Sequence, residues 1–142
     1  MEGKPNVSKD LYNNLLVKQT IVPAVRTTTA TGTGVDRKED GCDYQSALVV
    51  VVTGTITDGT HTVEVQDSDD NNTFTAVADA YLQGAEPAIV AADDNKVFEV
   101  GYIGLRRYLR VVVTVSGSPA TGGAIGAAVV LGDPAVAPVV RN

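Results

Sequence analysis

Residues 108–116 read Tyr-Leu-Arg-Val-Val-Val-Thr-Val-Ser, and this run limits the possible folds more than any other part of the sequence. Side chains alternate between the two faces of a β-strand, so Leu109, Val111, Val113 and Val115 share one face. That face is entirely apolar. The run therefore predicts the central strand of a β-domain, with its odd-numbered side chains pointing into a core.

Composition and turn spacing extend this prediction to the whole chain. The 142 residues suit one domain, and the chain is heavy in Val, Thr, Ala and Gly, with 14 glycines and no tryptophan. Val and Thr favour the pleated surface of a sheet, and turn signals recur at short spacing. We expect an all-β fold, namely a single β-sandwich or jelly-roll-like domain of about eight strands with an extended N-terminal arm.

Five segments place the other strands. The apolar run Ala47–Val52 predicts a strand in the middle of a sheet, buried on both faces. The turn signals at 57–60 and 67–72 and the glycines at 101 and 104 predict three hairpins. A final strand of small residues is expected over 124–131.

The N-terminal segment allows two interpretations. Residues 1–26 carry more apolar side chains than a free tail, including Leu11, Leu15, Leu16 and Ile21. Either residues 19–25 form a first strand of the same domain, or the segment is an arm that lies on a neighbouring subunit, because ordering it requires compensating burial. We divide the chain into an arm and first-strand region (1–34), a β-domain (35–134) and an extended tail (135–142).

Three of the eleven basic residues, Arg106, Arg107 and Arg110, lie within five positions of one another. One interpretation is that their aliphatic stems cover the sheet while their guanidinium groups pair with nearby carboxylates. The other is that they bind an acidic neighbouring surface, to which planar, bidentate contacts suit arginine. The candidate interface residues are Arg106, Arg107, Tyr108, Arg110, Leu11, Leu15, Leu16 and Ile21.

Little in the sequence suggests catalysis. His61 is the single histidine and is in phase with strand valines, so we interpret it as a partly buried sheet residue and not as a general base or ligand. We predict that the chain is not an enzyme and needs no cofactor.

Asp67, Asp69 and Asp70 are weak candidates for a calcium site. Their loop lacks the glycine and the glutamate that an EF-hand-like loop places at its sixth and twelfth positions, so a plain hairpin loop is favoured.

Charge and hydropathy exclude some partners. The net charge of −6 opposes binding to nucleic acid, which requires a basic surface. The single Cys42 cannot form an internal disulfide. No apolar run approaches the roughly 20 residues of a membrane helix, and no signal-peptide pattern is present, which predicts a soluble product of the cytoplasm.

Several motifs in order resemble those of a known group of proteins. They are Tyr44-Gln-Ser-Ala47, the turn at 54–59, the run from Val63 to Asp70 before Phe74, and the run Gly101-Tyr-Ile-Gly-Leu-Arg-Arg-Tyr-Leu-Arg110. Over about residues 35 to 134, the chain resembles small structural proteins of tailed bacteriophages and prophages.

The resemblance is strongest to head decoration proteins, also called cement or auxiliary capsid proteins. It implies a non-enzymatic virion subunit, made in the host bacterial cytoplasm, that binds the major capsid protein of an assembled shell as a homo-oligomer, often a trimer. A neck, tail-completion or tail-tube subunit is an alternative. A carbohydrate-binding β-sandwich that uses Tyr81, Tyr102 and Tyr108 as stacking platforms is another.

Overall fold

The computed structural model describes residues 9–141, and this part of the chain forms two antiparallel β-sheets that pack face to face. Six strands are long: β1 (Leu15–Arg26), β4 (Tyr44–Ile56), β5 (Thr60–Ser68), β9 (Val97–Tyr102), β10 (Tyr108–Ser116) and β11 (Gly123–Pro134). Five contain two residues each: β2 (Ala30–Thr31), β3 (Val35–Asp36), β6 (Thr75–Ala76), β7 (Leu82–Gln83) and β8 (Ala88–Ile89). The all-β sandwich is therefore confirmed, and the strands beyond the expected eight are short.

The two sheets contain different parts of the chain. The five-stranded sheet has the order β1-β11-β4-β9-β7. The six-stranded sheet has the order β2-β10-β5-β6, with β3 also paired to β10 and β8 to β5. Every pairing is antiparallel.

Alternation along the strands builds the core between the sheets. In β10, Leu109, Val111 and Val113 are buried as predicted. From the five-stranded sheet, Val49 and Val129 are both fully buried. Because each strand places every second side chain between the sheets, the opposite side chains form the two outer faces.

Two of the three predicted hairpins are wrong. The turn at 57–60 joins β4 to β5, and the corner at 103–107 joins β9 to β10, but in both cases the two strands belong to different sheets. A turn signal shows that the chain changes direction, whereas the sheet that receives the next strand is decided by packing of the core. The hairpin at 67–72 is confirmed, because β6 pairs with β5 at Gln66 and Asp67.

Of the two interpretations of the N-terminal segment, the structure shows a strand over residues 15–26. β1 pairs with β11 from Leu15 to Arg26, and both Leu16 and Ile21 lie in the core. The part of the segment before residue 9 lies outside the described residues.

The C-terminal tail packs back along the start of the chain. Val139 is buried and its N–H donates to the Asn13 carbonyl at 3.0 Å. The Arg141 guanidinium stacks over the Tyr12 ring at 3.8 Å from its centroid. Both ends of the described chain therefore lie at the end of the five-stranded sheet where β1 begins and β11 ends.

Candidate binding surface

The outer face of the five-stranded sheet is apolar and largely uncovered. Val130 of β11 lies between Val17 of β1 and Leu48 of β4, and Val50 and Val52 continue the same row along β4. Val17 is 59% exposed and Val52 is 49% exposed. The prediction that Ala47–Val52 is buried on both faces is wrong, although its central position in a sheet is confirmed.

A groove of about 530 Å³ runs along this outer face. Its floor is formed by Ala124, Gly126 and Ala128 of β11, and its sides include residues of β1 (Val17, Pro23) and β4 (Val50, Val52). A Cβ atom at Gly126 would lie 2.8 Å from the Pro23 Cγ, so glycine is needed for Pro23 to lie this close. The small residues predicted as a plain final strand thus produce a depression between two rows of larger side chains.

The β1 edge of the same sheet is less able to pair with an added strand than the outer face is to contact a partner. The carbonyl of Leu15 accepts a hydrogen bond from Arg141 at 2.6 Å, and that of Thr20 accepts one from the Thr33 N–H at 2.8 Å. Arg26 donates to the Val22 carbonyl. Since these carbonyls are already satisfied and Pro23 has no N–H, addition of another strand at β1 is disfavoured.

The arginine corner, residues 103–110, lies at the opposite end of the sheet from the groove. Arg107 makes a bidentate contact with Asp36, with Nε–Oδ1 of 2.8 Å and Nη2–Oδ2 of 2.9 Å. Arg110 donates to the Gln66 side chain at 2.8 Å and stacks over Phe74. These two arginines have partners within the chain, as the first interpretation of the cluster expects.

Arg106 is held more loosely. Its guanidinium lies 3.8 Å from Asp67 and 3.7 Å from Asp69, and its side chain is 48% exposed. Both distances exceed those of a hydrogen bond, so Arg106 remains available to an external carboxylate.

Buried polar groups fix the backbone of this corner. The Arg37 side chain, only 7% exposed, donates to the Arg106 carbonyl at 2.7 Å and to the Gln45 carbonyl at 3.1 Å. The Tyr102 hydroxyl donates to Asp67 at 2.8 Å and accepts the Arg106 N–H at 3.1 Å. Burial and the Asp67 contact raise the pKa of Tyr102 to about 12.

Two large apolar side chains project from the fixed corner. Leu105 is 94% exposed and Ile103 is 53% exposed. Gly104 between them lies against Tyr102, because a Cβ atom there would be 2.5 Å from the Tyr102 hydroxyl oxygen. The corner is therefore a rigid apolar projection that is followed directly by basic residues.

The predicted interface residues fall into different environments. Leu11 is 66% exposed, Leu15 and Tyr108 are half-buried, and Leu16 and Ile21 are buried in this chain's own core. Leu16 and Ile21 therefore have no surface to offer a neighbour. For Leu11, Leu15, Tyr108 and the arginines, the interface role stays a prediction.

In the candidate calcium loop, the side chain of Asp70 makes hydrogen bonds within its own loop. Asp70 accepts hydrogen bonds from the Ser68 hydroxyl and from the N–H groups of Asn72 and Thr73, which closes the loop after β5. Asp69 is largely exposed. Within residues 9–141, no group of three or more His, Cys, Asp or Glu side chains is arranged to hold a metal ion.

His61 and Tyr102 are both inaccessible to solvent. The imidazole of His61 is 0% exposed, more buried than predicted, and its Nε2 lies 3.1 Å from the Asp58 carbonyl. Tyr102 is 2% exposed, so of the three tyrosines suggested as sugar platforms it is not available. Across the described range, no helix has the length and apolar character needed to cross a bilayer.

Fold and surface together define an all-β sandwich domain with an open apolar face and a rigid, basic corner. The chain belongs to the Bbp16 family, whose model matches residues 18–129. This places it among bacteriophage-associated proteins. No curated protein matches the sequence.

The sequence did not lead us to predict the apolar outer face of the five-stranded sheet or the buried Arg37 side chain that holds the arginine corner in place. The signal for the face was the unbroken run Ala47–Val52, which we interpreted as buried on both faces, together with the small residues at 124–128. Arg37 stood in a charged loop with no sign that it would be buried. Its role depends on the corner at 104–106, which is about 70 residues away in the chain.

Proposed function

We propose that this protein is a non-enzymatic structural subunit of a phage virion, and specifically a decoration protein that binds and stabilises the assembled head. The observation that carries the proposal is the uncovered apolar face of the five-stranded sheet in a chain of a phage-associated family. Isolated apolar side chains are normal on a surface, but a continuous apolar groove is typical of a protein interaction site.

Two further features support a binding role. The groove and the arginine corner are both preorganised, which reduces the entropy lost on association. Basic residues are concentrated at one corner of a chain with a net charge of −6. An acidic partner surface would be attracted to that corner, which favours one orientation of the complex. Many copies on a symmetric shell would strengthen individually weak contacts.

Co-sedimentation with purified phage heads that lack this protein tests the proposal. We expect the wild-type chain to sediment with heads and to raise the temperature at which they release DNA. Recovery of the protein only in the supernatant, with binding to purified tails or necks instead, would favour the tail-completion alternative.

A pair of substitutions tests the role of the apolar face. Val52→Asp places a charge at the groove, and we expect the apparent affinity for heads to fall at least tenfold. Thr114→Asp is the matched control, since Thr114 is exposed on the outer face of the other sheet and should bind like the wild type. Equal binding by both variants contradicts the role of the groove.

A further inference from the structure

The groove and the projecting corner lie at opposite ends of one sheet and have complementary properties. Tyr102, which precedes the corner, pairs with Ala47, whereas the groove is lined by Val52 of the same strand. Five residues of strand separate the two positions, or roughly 17 Å at about 3.4 Å per residue. A molecule therefore cannot place its own corner in its own groove.

The corner of one molecule and the groove of another are complementary in shape and chemistry. Leu105 and Ile103 project from a backbone fixed by Arg37 and Tyr102, while the groove offers a depression floored by small residues. Burial of an exposed leucine side chain is favourable because it removes apolar surface from water. An apolar projection on a rigid corner is the kind of group that this groove accommodates.

Charge at the two sites is also complementary. Glu99 of β9 is exposed beside Val50 on the groove side of the sheet and makes no ion pair with any residue in 9–141. Arg106 directly follows Leu105 and has only loose partners, at 3.7 and 3.8 Å. In a chain of net charge −6, this pairing favours one orientation of two copies over others.

We propose that the groove binds a second copy of this chain, with Ile103 and Leu105 of one molecule inserted between β1 and β4 of the next and Arg106 facing Glu99. This inference rests on the proposed structural function and names a partner for its apolar face. The contact is head-to-tail, because each molecule supplies the corner at one interface and the groove at another. Such contacts form rings when the rotation closes and open chains when it does not.

The expected contact is small. The groove spans three strands spaced about 4.8 Å apart and five residues along β4 and β11, which is roughly 250 Å² for each partner. Interfaces of this size are weak and transient in isolation. Self-association is therefore expected to depend on concentration in solution and to be strengthened by repetition on a shell.

Sedimentation velocity of the purified protein without heads, over a hundredfold range of concentration, tests this arrangement. We expect the wild type to form oligomers that Leu105→Asp and Val52→Asp both abolish. Thr114→Asp is the control, since it introduces the same charge at an exposed position on the outer face of the other sheet and should leave association unchanged.

Mixing the two defective variants gives a sharper test. Leu105→Asp keeps its groove and Val52→Asp keeps its corner, so one productive contact remains, and the mixture should form 1:1 dimers and nothing larger. A monomeric mixture, or a monomeric wild type at the highest concentration, overturns the head-to-tail arrangement.

Exchange of the charges at Glu99 and Arg106 gives a test that does not depend on correct folding of the Val52→Asp variant. Glu99→Lys and Arg106→Glu each lie at exposed positions and should each weaken association about tenfold, while the double variant recovers it. Failure of the double variant to recover association overturns the proposed pairing.

The outcomes separate this inference from the proposed function. A wild type that is monomeric but sediments with heads removes the self-contact and leaves the decoration role. A wild type that oligomerises but ignores heads removes the decoration role and leaves the self-contact.

Discussion

At the scale of single residues, Tyr102 joins three parts of the chain through its hydroxyl group and its ring. It donates to Asp67 of β5, accepts the Arg106 N–H, and its ring lies under the Arg37 guanidinium at 5.3 Å. Since Asp67 is 8% exposed and Arg106 is 3.8 Å away, the hydroxyl is its closest donor. One side chain thus couples the two sheets at the corner that carries Leu105.

We expect Tyr102→Phe to lower the free energy of unfolding by about 1–2 kcal/mol, because the buried Asp67 loses its hydrogen bond. Urea denaturation measures the change. Tyr81→Phe is the matched control, since Tyr81 is 53% exposed, and it should change stability by less than about 0.5 kcal/mol. A similar loss in both variants contradicts the role assigned to the Tyr102 hydroxyl.

At the scale of elements, β1 and β11 together decide which surface is open. β11 contributes the small residues of the groove floor, and β1 contributes one side of the groove and covers the edge of β11 over 12 residues. Without β1, the N–H and C=O groups of β11 that it pairs with would face solvent, and such an unpaired edge promotes aggregation.

We expect removal of residues 1–26 to give an aggregating or unfolded product, because Leu16 and Ile21 leave the core at the same time. Removal of residues 1–8 is the control, because the pairing of β1 with β11 begins at Leu15. Circular dichroism and size-exclusion chromatography distinguish the outcomes. A soluble, folded protein that lacks 1–26 would show that β1 is an arm on the domain and not part of it.

At the scale of the whole molecule, carboxylates that hold loops in place make stability depend on pH. Hydrogen bonds from Arg107 lower the pKa of Asp36. The pKa of Asp58 is lowered by hydrogen bonds from the N–H groups of Gly122, Ala120 and Thr121. The pKa of Asp70 is lowered by hydrogen bonds from the N–H groups of Thr73 and Asn72. A lowered pKa in the folded state stabilises the fold above the ordinary value of 3.8 and loses this effect as pH falls through the folded value. The pKa of Glu86 shifts in the opposite direction, because burial raises it. The charge on Glu86 therefore destabilises the folded state at neutral pH.

We expect the urea midpoint of the wild type to fall between pH 4 and pH 2. Glu86→Gln retains an acceptor for the Val65 N–H and removes the buried charge. It should therefore be more stable than the wild type at pH 7, with the difference disappearing below the ordinary carboxyl pKa of 4.5. A difference that persists unchanged at pH 3 would show that charge on Glu86 is not its cause.

The sequence by itself determined the all-β class, the inward face of β10 and the central position of β4, because strand alternation and β-propensity are local properties of 5 to 10 residues. It also determined that the loop at 67–72, which is rich in aspartate and asparagine, is a turn, since Asp and Asn side chains bond to their own backbone.

Only the tertiary structure decided which strands share a sheet, and hence that two expected hairpins are crossings between sheets. It also decided that one face of Ala47–Val52 is open. An apolar run has the same pattern whether its second face meets another layer of this chain or a partner, because the hydrophobic effect depends on area removed from water and not on whose atoms cover it. Pairing of Arg37 with the corner at 104–106 likewise depends on contacts between residues far apart in the chain, which local pattern does not encode.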